Sequence, residues 1–174
     1  SRNRTVFIAD TSVTELPTSI QLADIAVQSA AKARQLGHEP RVALLSFSNF
    51  GNPMREKAAR IREAVDELDQ RKVNSRGNID FEYDGEMQAN VALDFELMRQ
   101  RYPFCRLSGP ANVLIMPALH SANISAKLLQ MLGGGTVIGP ILIGLGKPAQ
   151  IVQSGATVSD VVTAAAMAAF DAMR

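Results

Sequence analysis

Residues 41–52 read RVALLSFSNFGN, and this stretch decides the fold class. The first seven residues are mostly apolar, which is typical of a strand buried on both faces of a sheet. A polar loop follows, and then Pro53, which suits the first turn of a helix. The apolar face of that predicted helix consists of Ala58, Ile61, Ala64, Val65 and Leu68. A buried strand, a polar loop and an amphipathic helix in this order indicate an α/β unit.

The same alternation continues along the chain. Helices are predicted between the strands, with Thr18 and Gln21 forming a capping box at the start of the first one and Thr157 opening the last. Residues 71–78 are predicted to form a polar loop. Further strands are predicted at residues 6–9, 80–83, 112–116, 136–145 and 151–152. Continuous apolar strands that alternate with helices favour an α/β sandwich with a mostly parallel sheet.

The composition limits the possible partners. With 174 residues, 47% of them hydrophobic and 20% charged, the chain can fold as one globular domain. Its net charge of +1 lacks the basic excess that a nucleic-acid or membrane-surface partner requires. The single Cys105 allows no intrachain disulfide, so a cytoplasmic location is expected. Because residues 1–4 lead directly into a strand without an initiator methionine, we expect a fragment of a longer chain.

The polar loop at residues 46–52 is the sharpest candidate binding motif. Ser46, Ser48 and Gly51 offer hydroxyl and amide donors with little bulk, between the carboxyl end of a strand and a helix N-terminus. Such positions bind phosphate groups readily. A polar turn that only caps the following helix fits the same residues equally well. The spacing is not that of a P-loop.

A second candidate lies at residues 117–123, where another predicted strand passes into a helix. His120, Ser121 and Asn123 could reach a ligand in the cleft at the carboxyl ends of the strands. The alternative is that Ser121 caps the helix and that His120 is solvated. A catalytic triad is not expected, since the other histidine, His38, lies in a turn and no nucleophile elbow is present.

Other motifs favour structural interpretations. Thr157 and Asp160 have the spacing of a helix-capping pair. Two scattered histidines and one cysteine, without a close carboxylate cluster, predict no metal site. Residues 133–135 are three glycines that follow a helix, the reverse of a dinucleotide-binding fingerprint. A basic cluster, interpreted as solvated surface rather than a phosphate site, consists of Arg99, Arg101 and Arg106.

Taken in order, several stretches resemble the phosphate acetyl/butyryltransferase (phosphotransacetylase) family. The matching stretches are FIADTSV at residues 7–13, RVALLSFS at 41–48, DGEMQ at 84–88, ANVLIMP at 111–117, and IGPIL at 138–142 followed by Gly144-Leu145 and Lys147-Pro148. The resemblance implies three-layer α/β/α subdomains, as in the isocitrate-dehydrogenase-like fold, with an acyl-CoA and phosphate site in the cleft between two of them. Residues 1–174 would then comprise the second subdomain and the C-terminal return to the first.

Departures from the family pattern bear on catalysis. Active members carry Asp-Leu-Ser-Arg-Gly after the Lys-Pro, and the serine and arginine serve thiol activation and transition-state charge. Here Gln153 and Ser154 stand at those two positions, and only the later Asp160 is kept. Phe50 replaces a usual lysine, and a Pro-Asp-Leu-x-x-Gly-Asn motif has lost its aspartate and glycine while keeping Asn123. A hydroxyl cannot replace a guanidinium in stabilising charge, so the resemblance implies ligand binding with no catalytic residue.

The altered pattern is similar to the C-terminal domain of hybrid NADP-dependent malic enzymes. That resemblance implies a regulatory domain with acetyl-CoA as its effector, while NADP and a divalent metal belong to a missing N-terminal module. It also implies two further partners: that module and a homo-oligomer formed through this domain. The ligand-binding residues expected in the cleft are Ser46, Ser48, Asn49, Gly51, Asn123, Gln153 and Asp160.

Two alternatives stay open. An active phosphate acetyltransferase would need Arg99, Arg101 or Arg106 to reach the cleft in place of the missing arginine. A purely structural dimerisation module would be favoured by a cleft filled with side chains.

Overall fold

The computed structural model describes residues 4–74, 79–133 and 135–173. The chain divides into two compact units, Ser1–Ile124 and Ser125–Arg174, whose described residues are treated separately. The elements of unit 1 are β1 (Phe7–Ala9), α1 (Ser19–Gln35), β2 (Arg41–Leu45), α2 (Glu56–Val73), β3 (Glu82–Met87), α3 (Ala89–Leu93), α4 (Phe95–Arg101) and β4 (Val113–Ile115). Helix α5 (Leu119–Leu132) runs across the boundary, and unit 2 also contains α6 (Val158–Ala172).

Unit 1 is built on a four-stranded sheet with the order β1-β4-β2-β3, in which each described strand pair is parallel. Side chains alternate between its two faces. Val42 and Leu44 pack with α1 and α2, whereas Ala43 and Leu45 pack with α3 and α4. All four side chains are buried, so the sheet is covered by helices on both faces. The predicted α/β/α sandwich with a parallel sheet is therefore confirmed.

The helix boundaries agree with the capping signals at one site and differ at another. Thr18 and Gln21 form the predicted capping box at the start of α1. The prediction that Pro53 begins a helix was wrong, because α2 begins at Glu56. Reciprocal backbone hydrogen bonds of 2.9 and 3.0 Å between Asn49 and Asn52 turn the chain back on itself, and three residues are then needed to reach the helix.

Helix α2 also extends further than predicted, since residues 71–73 of the expected loop are helical and the last part of that loop lies outside the described residues. Arg71 forms ion pairs with Glu67 one turn earlier and with Asp24 on α1, which stabilise this last turn.

Strand β3 was predicted at residues 80–83 but occupies Glu82–Met87. The predicted strand ends before the polar sequence DGE at residues 84–86. In the structure Asp84 accepts a hydrogen bond from the backbone of Arg106, and the Glu86 carboxylate pairs with Arg62. Both acidic side chains are therefore satisfied inside the protein, so the strand continues through them.

Two strands predicted in unit 2 are absent from its described residues. The described residues between α5 and α6 contain no strand, although residues 136–145 and 151–152 are strongly apolar. A strand requires a neighbour, and the described part of unit 2 offers none. The Gln150 side-chain amide instead bonds both backbone groups of Leu142, at 2.9 and 3.1 Å, in the manner of an adjacent strand. Helix α6 begins after Thr157, as predicted. None of the described helices is long and apolar enough to cross a membrane.

Candidate ligand-binding site

The candidate binding residues of unit 1 lie at the carboxyl end of its parallel sheet. Residues 46–52, called the β2 loop below, directly follow β2, and the N-terminal turn of α5 follows the neighbouring strand β4. Residues 10–13 leave the sheet at the same edge, after β1. Ligands of open α/β sheets bind in crevices at this edge.

Phe50 and Gly51 form the tip of the β2 loop and adopt left-handed backbone conformations, with φ values of 48° and 86°. This region is uncommon for a bulky residue. The ring of Phe50 is held by Tyr102 and Phe104, at centroid distances of 5.1 and 5.0 Å. The residue that stands where the resemblance leads one to expect a lysine is therefore part of an aromatic cluster.

The loop folds over the carboxylate of Glu86, which is fully buried at the end of β3. The Ser48 hydroxyl and the Gly51 amide donate to Glu86 Oε1 over 2.5 and 3.2 Å. Arg62 Nη1 donates to both carboxylate oxygens over 3.0 and 2.9 Å. Ser46 adjoins this network through a 3.4 Å contact between its Oγ and that of Ser48. The donor set is that of an anion site, and an internal carboxylate occupies it.

The four predicted binding residues of the loop have different surroundings. Ser48 and Asn49 are buried, while Ser46 and Gly51 are partly exposed. Asn49 Oδ1 accepts the backbone amide of Gln88 over 2.8 Å, which ties the loop to the residue after β3. The structure therefore brings all four together, with Ser48, Asn49 and Gly51 engaged in internal hydrogen bonds. Their contact with a ligand stays a prediction.

Sequence reasoning missed Arg62 and Glu86. Arg62 lies four residues after Ala58 and three before Val65, so it borders the buried face of α2. Glu86 is itself a buried residue of a strand, next to the buried Met87. An arginine beside an apolar helix face and a carboxylate in a strand are the signal for a buried ion pair, because neither charge is buried without a partner.

Asn123 lies at the same edge of the sheet, on α5, and its side-chain amide donates to the Thr11 carbonyl over 3.2 Å. The turn at Thr11 is organised by Asp10, whose carboxylate accepts the backbone amides of the next residues. Burial acts to raise the pKa of Asp10, but these hydrogen bonds outweigh it and lower the pKa. Of the neighbouring candidates, His120 is exposed, and Ser121 does not cap the helix, since its hydroxyl donates to the Ala118 carbonyl over 2.9 Å.

The other two predicted binding residues, Gln153 and Asp160, are exposed and belong to unit 2. Asp160 Oδ2 accepts both the backbone amide and the hydroxyl of Thr157 over 2.8 Å, which confirms the predicted capping pair. The hydrogen bond from the Thr157 backbone is the largest cause of the lowered pKa of Asp160. That Gln153 and Asp160 share a cleft with the unit 1 residues stays a prediction.

An active transferase would need Arg99, Arg101 or Arg106 to reach the cleft, and Arg106 is paired with two aspartates. It donates to Asp69 and Asp84 over 2.7 and 3.3 Å, and its guanidinium lies 5.0 Å from the ring centre of Tyr83. Burial acts to lower the pKa of Arg106, but the charges and hydrogen bonds of the two aspartates raise it. Within the ranges that the structure describes, no group of three or more His, Cys, Asp or Glu side chains could hold a metal ion.

Comparison with known proteins tests the resemblance inferred from the sequence. The pattern of the phosphate acetyl/butaryl transferase family matches residues 1–169. The chain belongs to this family. Among family structures, EutD phosphotransacetylase from Staphylococcus aureus superposes with a TM-score of 0.90 at 31% identity, over 99% of this chain and 52% of that one. The phosphate acetyl/butaryl transferase fold is thus confirmed.

Two relatives set this family member in context. It is 58% identical, over 171 residues and 98% of its length, to an NADP-dependent malic enzyme of Rhizobium meliloti. It is 36% identical, over 97% of its length, to a phosphate acetyltransferase of Clostridium acetobutylicum. The chain spans 22% of the malic enzyme and 49% of the acetyltransferase.

Proposed function

We propose that this family member is an acetyl-CoA-responsive, non-catalytic regulatory domain of an NADP-dependent malic enzyme. The observation that carries the proposal is its higher identity to the malic enzyme than to the phosphate acetyltransferase. In the longer chain, a separate module would convert malate to pyruvate and CO2 with NADP and a divalent metal. Acetyl-CoA would bind this domain and change that rate.

The residues at the expected catalytic positions support binding without transfer. Acetyl transfer develops negative charge on a tetrahedral intermediate, which positioned donors must stabilise. Gln153 and Ser154 carry no charge, and Phe50 is packed against aromatic rings. Arg106 already pairs with two aspartates. The contacts expected with acetyl-CoA involve the partly exposed Ser46 and its loop, together with Asn123, Gln153 and Asp160.

A second candidate function is transfer of the acetyl group between CoA and phosphate. Arg62 favours it, because its side chain is 27% exposed and pairs with Glu86, to which the β2 loop also donates. A third is a structural dimerisation module. The exposed apolar side chains of Leu128, Leu132 and Val162 support assembly of several copies through this domain.

The test is a titration of the full natural chain with acetyl-CoA, recording NADPH formation from malate and acetyl phosphate formation from added phosphate. The proposal predicts a saturable change in the NADPH rate and no acetyl phosphate. Ser46→Ala should shift the acetyl-CoA midpoint, whereas the control Ser108→Ala, whose hydroxyl bonds Glu82 at the other end of β3, should not.

Acetyl phosphate formation would instead support the transferase. If neither product responds and the chain assembles only when this domain is present, the structural module is the better account.

A further inference from the structure

Glu86 makes more contacts with the β2 loop than its place on a strand requires. Its carboxylate accepts the Ser48 hydroxyl and the Gly51 amide, and its carbonyl accepts the Phe50 amide over 2.8 Å. Arg62 adds the opposite charge from α2. Three donors of the β2 loop therefore end on one residue, which belongs to another strand and lies 35 to 38 positions later in the chain.

Because Glu86 is buried, its contacts constrain the conformation of the β2 loop. A carboxylate without solvent exposure is strongly destabilising unless its oxygens are paired and hydrogen-bonded. Arg62 donates to both oxygens, and the observed conformation of the loop adds the Ser48 hydroxyl and the Gly51 amide as two further donors to Oε1. A buried polar network that is fully satisfied specifies a single local structure.

The network also orients the serine pair. A hydroxyl has one proton to donate, and Ser48 donates it to Glu86. In the 3.4 Å contact between the two serines, Ser46 is therefore the donor. The Glu86 carboxylate thus fixes the orientation of the Ser48 hydroxyl, and through it that of the partly exposed Ser46.

We propose that Glu86 is the positioning residue of the β2 loop. Its carboxylate, paired with Arg62, holds the tip of the β2 loop. Through Ser48, it also sets the orientation of the partly exposed Ser46 hydroxyl. The role of this loop in acetyl-CoA binding rests on the proposed function, whereas the effect of Glu86 on loop structure does not.

The experiment compares Glu86→Ala and Glu86→Gln with wild type in the full natural chain. A matched control is Glu82→Ala, which removes a carboxylate from the same strand that bonds only Ser108 among its described partners. Hydrogen exchange at the Phe50 and Gly51 amides reports the loop directly. In Glu86→Ala the Gly51 amide should exchange about tenfold faster or more, since it loses a hydrogen bond to a charged group. Glu86→Gln keeps an acceptor oxygen, so it should have a smaller effect, and Glu82→Ala none.

Rescue by a small carboxylate separates positioning from general destabilisation. Formate should enter the space vacated in Glu86→Ala, restore slow exchange at Gly51, and return the acetyl-CoA midpoint towards wild type. It should change neither quantity in Glu82→Ala.

Unchanged exchange at Phe50 and Gly51 in both Glu86 variants would overturn the proposal, as would exchange that rises equally throughout β2 and is insensitive to formate. Should Glu86→Ala fail to fold, the exchange of Glu86→Gln decides the matter. If wild type does not respond to acetyl-CoA, the proposed function fails, while the exchange data still judge Glu86.

Discussion

The ion pair between Arg62 and Glu86 yields the sharpest stability prediction. Arg62→Met keeps a similar aliphatic length and removes the guanidinium. The carboxylate left behind is fully buried, while the arginine side chain is 27% exposed. Breaking a buried pair costs about 3–5 kcal/mol. Because Arg62 is partly solvated and Ser48 and Gly51 still donate to the carboxylate, we expect about 2–3 kcal/mol.

Native-state hydrogen exchange measures this effect without requiring the whole chain to unfold in one step. The slowest amides of β2 and β3 should exchange about 30- to 150-fold faster in Arg62→Met, which corresponds to the expected loss at about 1.4 kcal/mol per factor of ten. The matched control is Arg55→Met, at the exposed N-terminal end of the same helix, which makes no side-chain cap bond and should change the rates little.

The double variant Arg62→Met with Glu86→Gln tests the cause. Removing both charges leaves no buried unpaired ion, so the double variant should be less destabilised than the sum of the two single variants. A loss below about 1 kcal/mol for Arg62→Met, or strict additivity in the double variant, would refute the argument that the buried charge dominates.

Three other predictions concern positions outside the ion pair. Thr157→Ala removes the N-cap of α6 and should cost about 1 kcal/mol, seen as faster amide exchange in the first helical turn. In Gly85→Ala the new Cβ would lie 2.8 Å from the carbonyl oxygen of Leu44, so the substitution should lower the free energy of unfolding by about 1–3 kcal/mol. Gly109→Ala is its milder counterpart, since there the new Cβ meets a flexible side chain at 3.1 Å. Burial is the main cause that raises the pKa of the Cys105 thiol to about 11. Labelling by iodoacetamide at pH 8 should therefore be about 100-fold slower than for a thiol of ordinary pKa, and should rise about tenfold per pH unit until it levels off near pH 11.

For these three predictions the contradicting results are equally specific. Unaltered exchange in α6 would show that Thr157 does not stabilise the helix. If Gly85→Ala and Gly109→Ala lowered the free energy of unfolding equally, the close approach of Gly85 to Leu44 would not explain the loss. Rapid labelling of Cys105 at pH 8, with the fold intact, would contradict its buried position.

The sequence was a good guide wherever periodicity and burial coincide. The run at residues 41–47 predicted β2, and its alternating side chains account for the two helix layers. It was a poor guide where polar residues are paired over long range. The predicted strand ended before Asp84 and Glu86, yet their partners, Arg106 and Arg62, hold both acidic residues inside it. Local spacing can indicate that such a residue is paired, but it does not show which distant residue is its partner.

An apolar run also forms a strand only where another strand is available to pair with it. Residues 136–145 have the composition of a buried strand, but Val137, Ile138 and Leu145 are half-exposed or more. The candidate site, too, was predictable only in part. The β2 loop and the place of Asn123 at the edge of the sheet followed from the order of the elements, whereas the internal occupation of the loop by Glu86 depends on tertiary contacts.

The proposed function requires that acetyl-CoA binding be energetically coupled to ligand binding by the malic enzyme module, and reciprocity offers a direct test. If acetyl-CoA alters the affinity of the malic enzyme module for its ligands, those ligands alter the affinity for acetyl-CoA by the same factor. The measurement is the dissociation constant of acetyl-CoA by calorimetry on the full natural chain, alone and with saturating malate and NADPH, a non-reacting pair. We expect the two constants to differ about fivefold or more. Equal constants in the two conditions, or no binding in either, would contradict it.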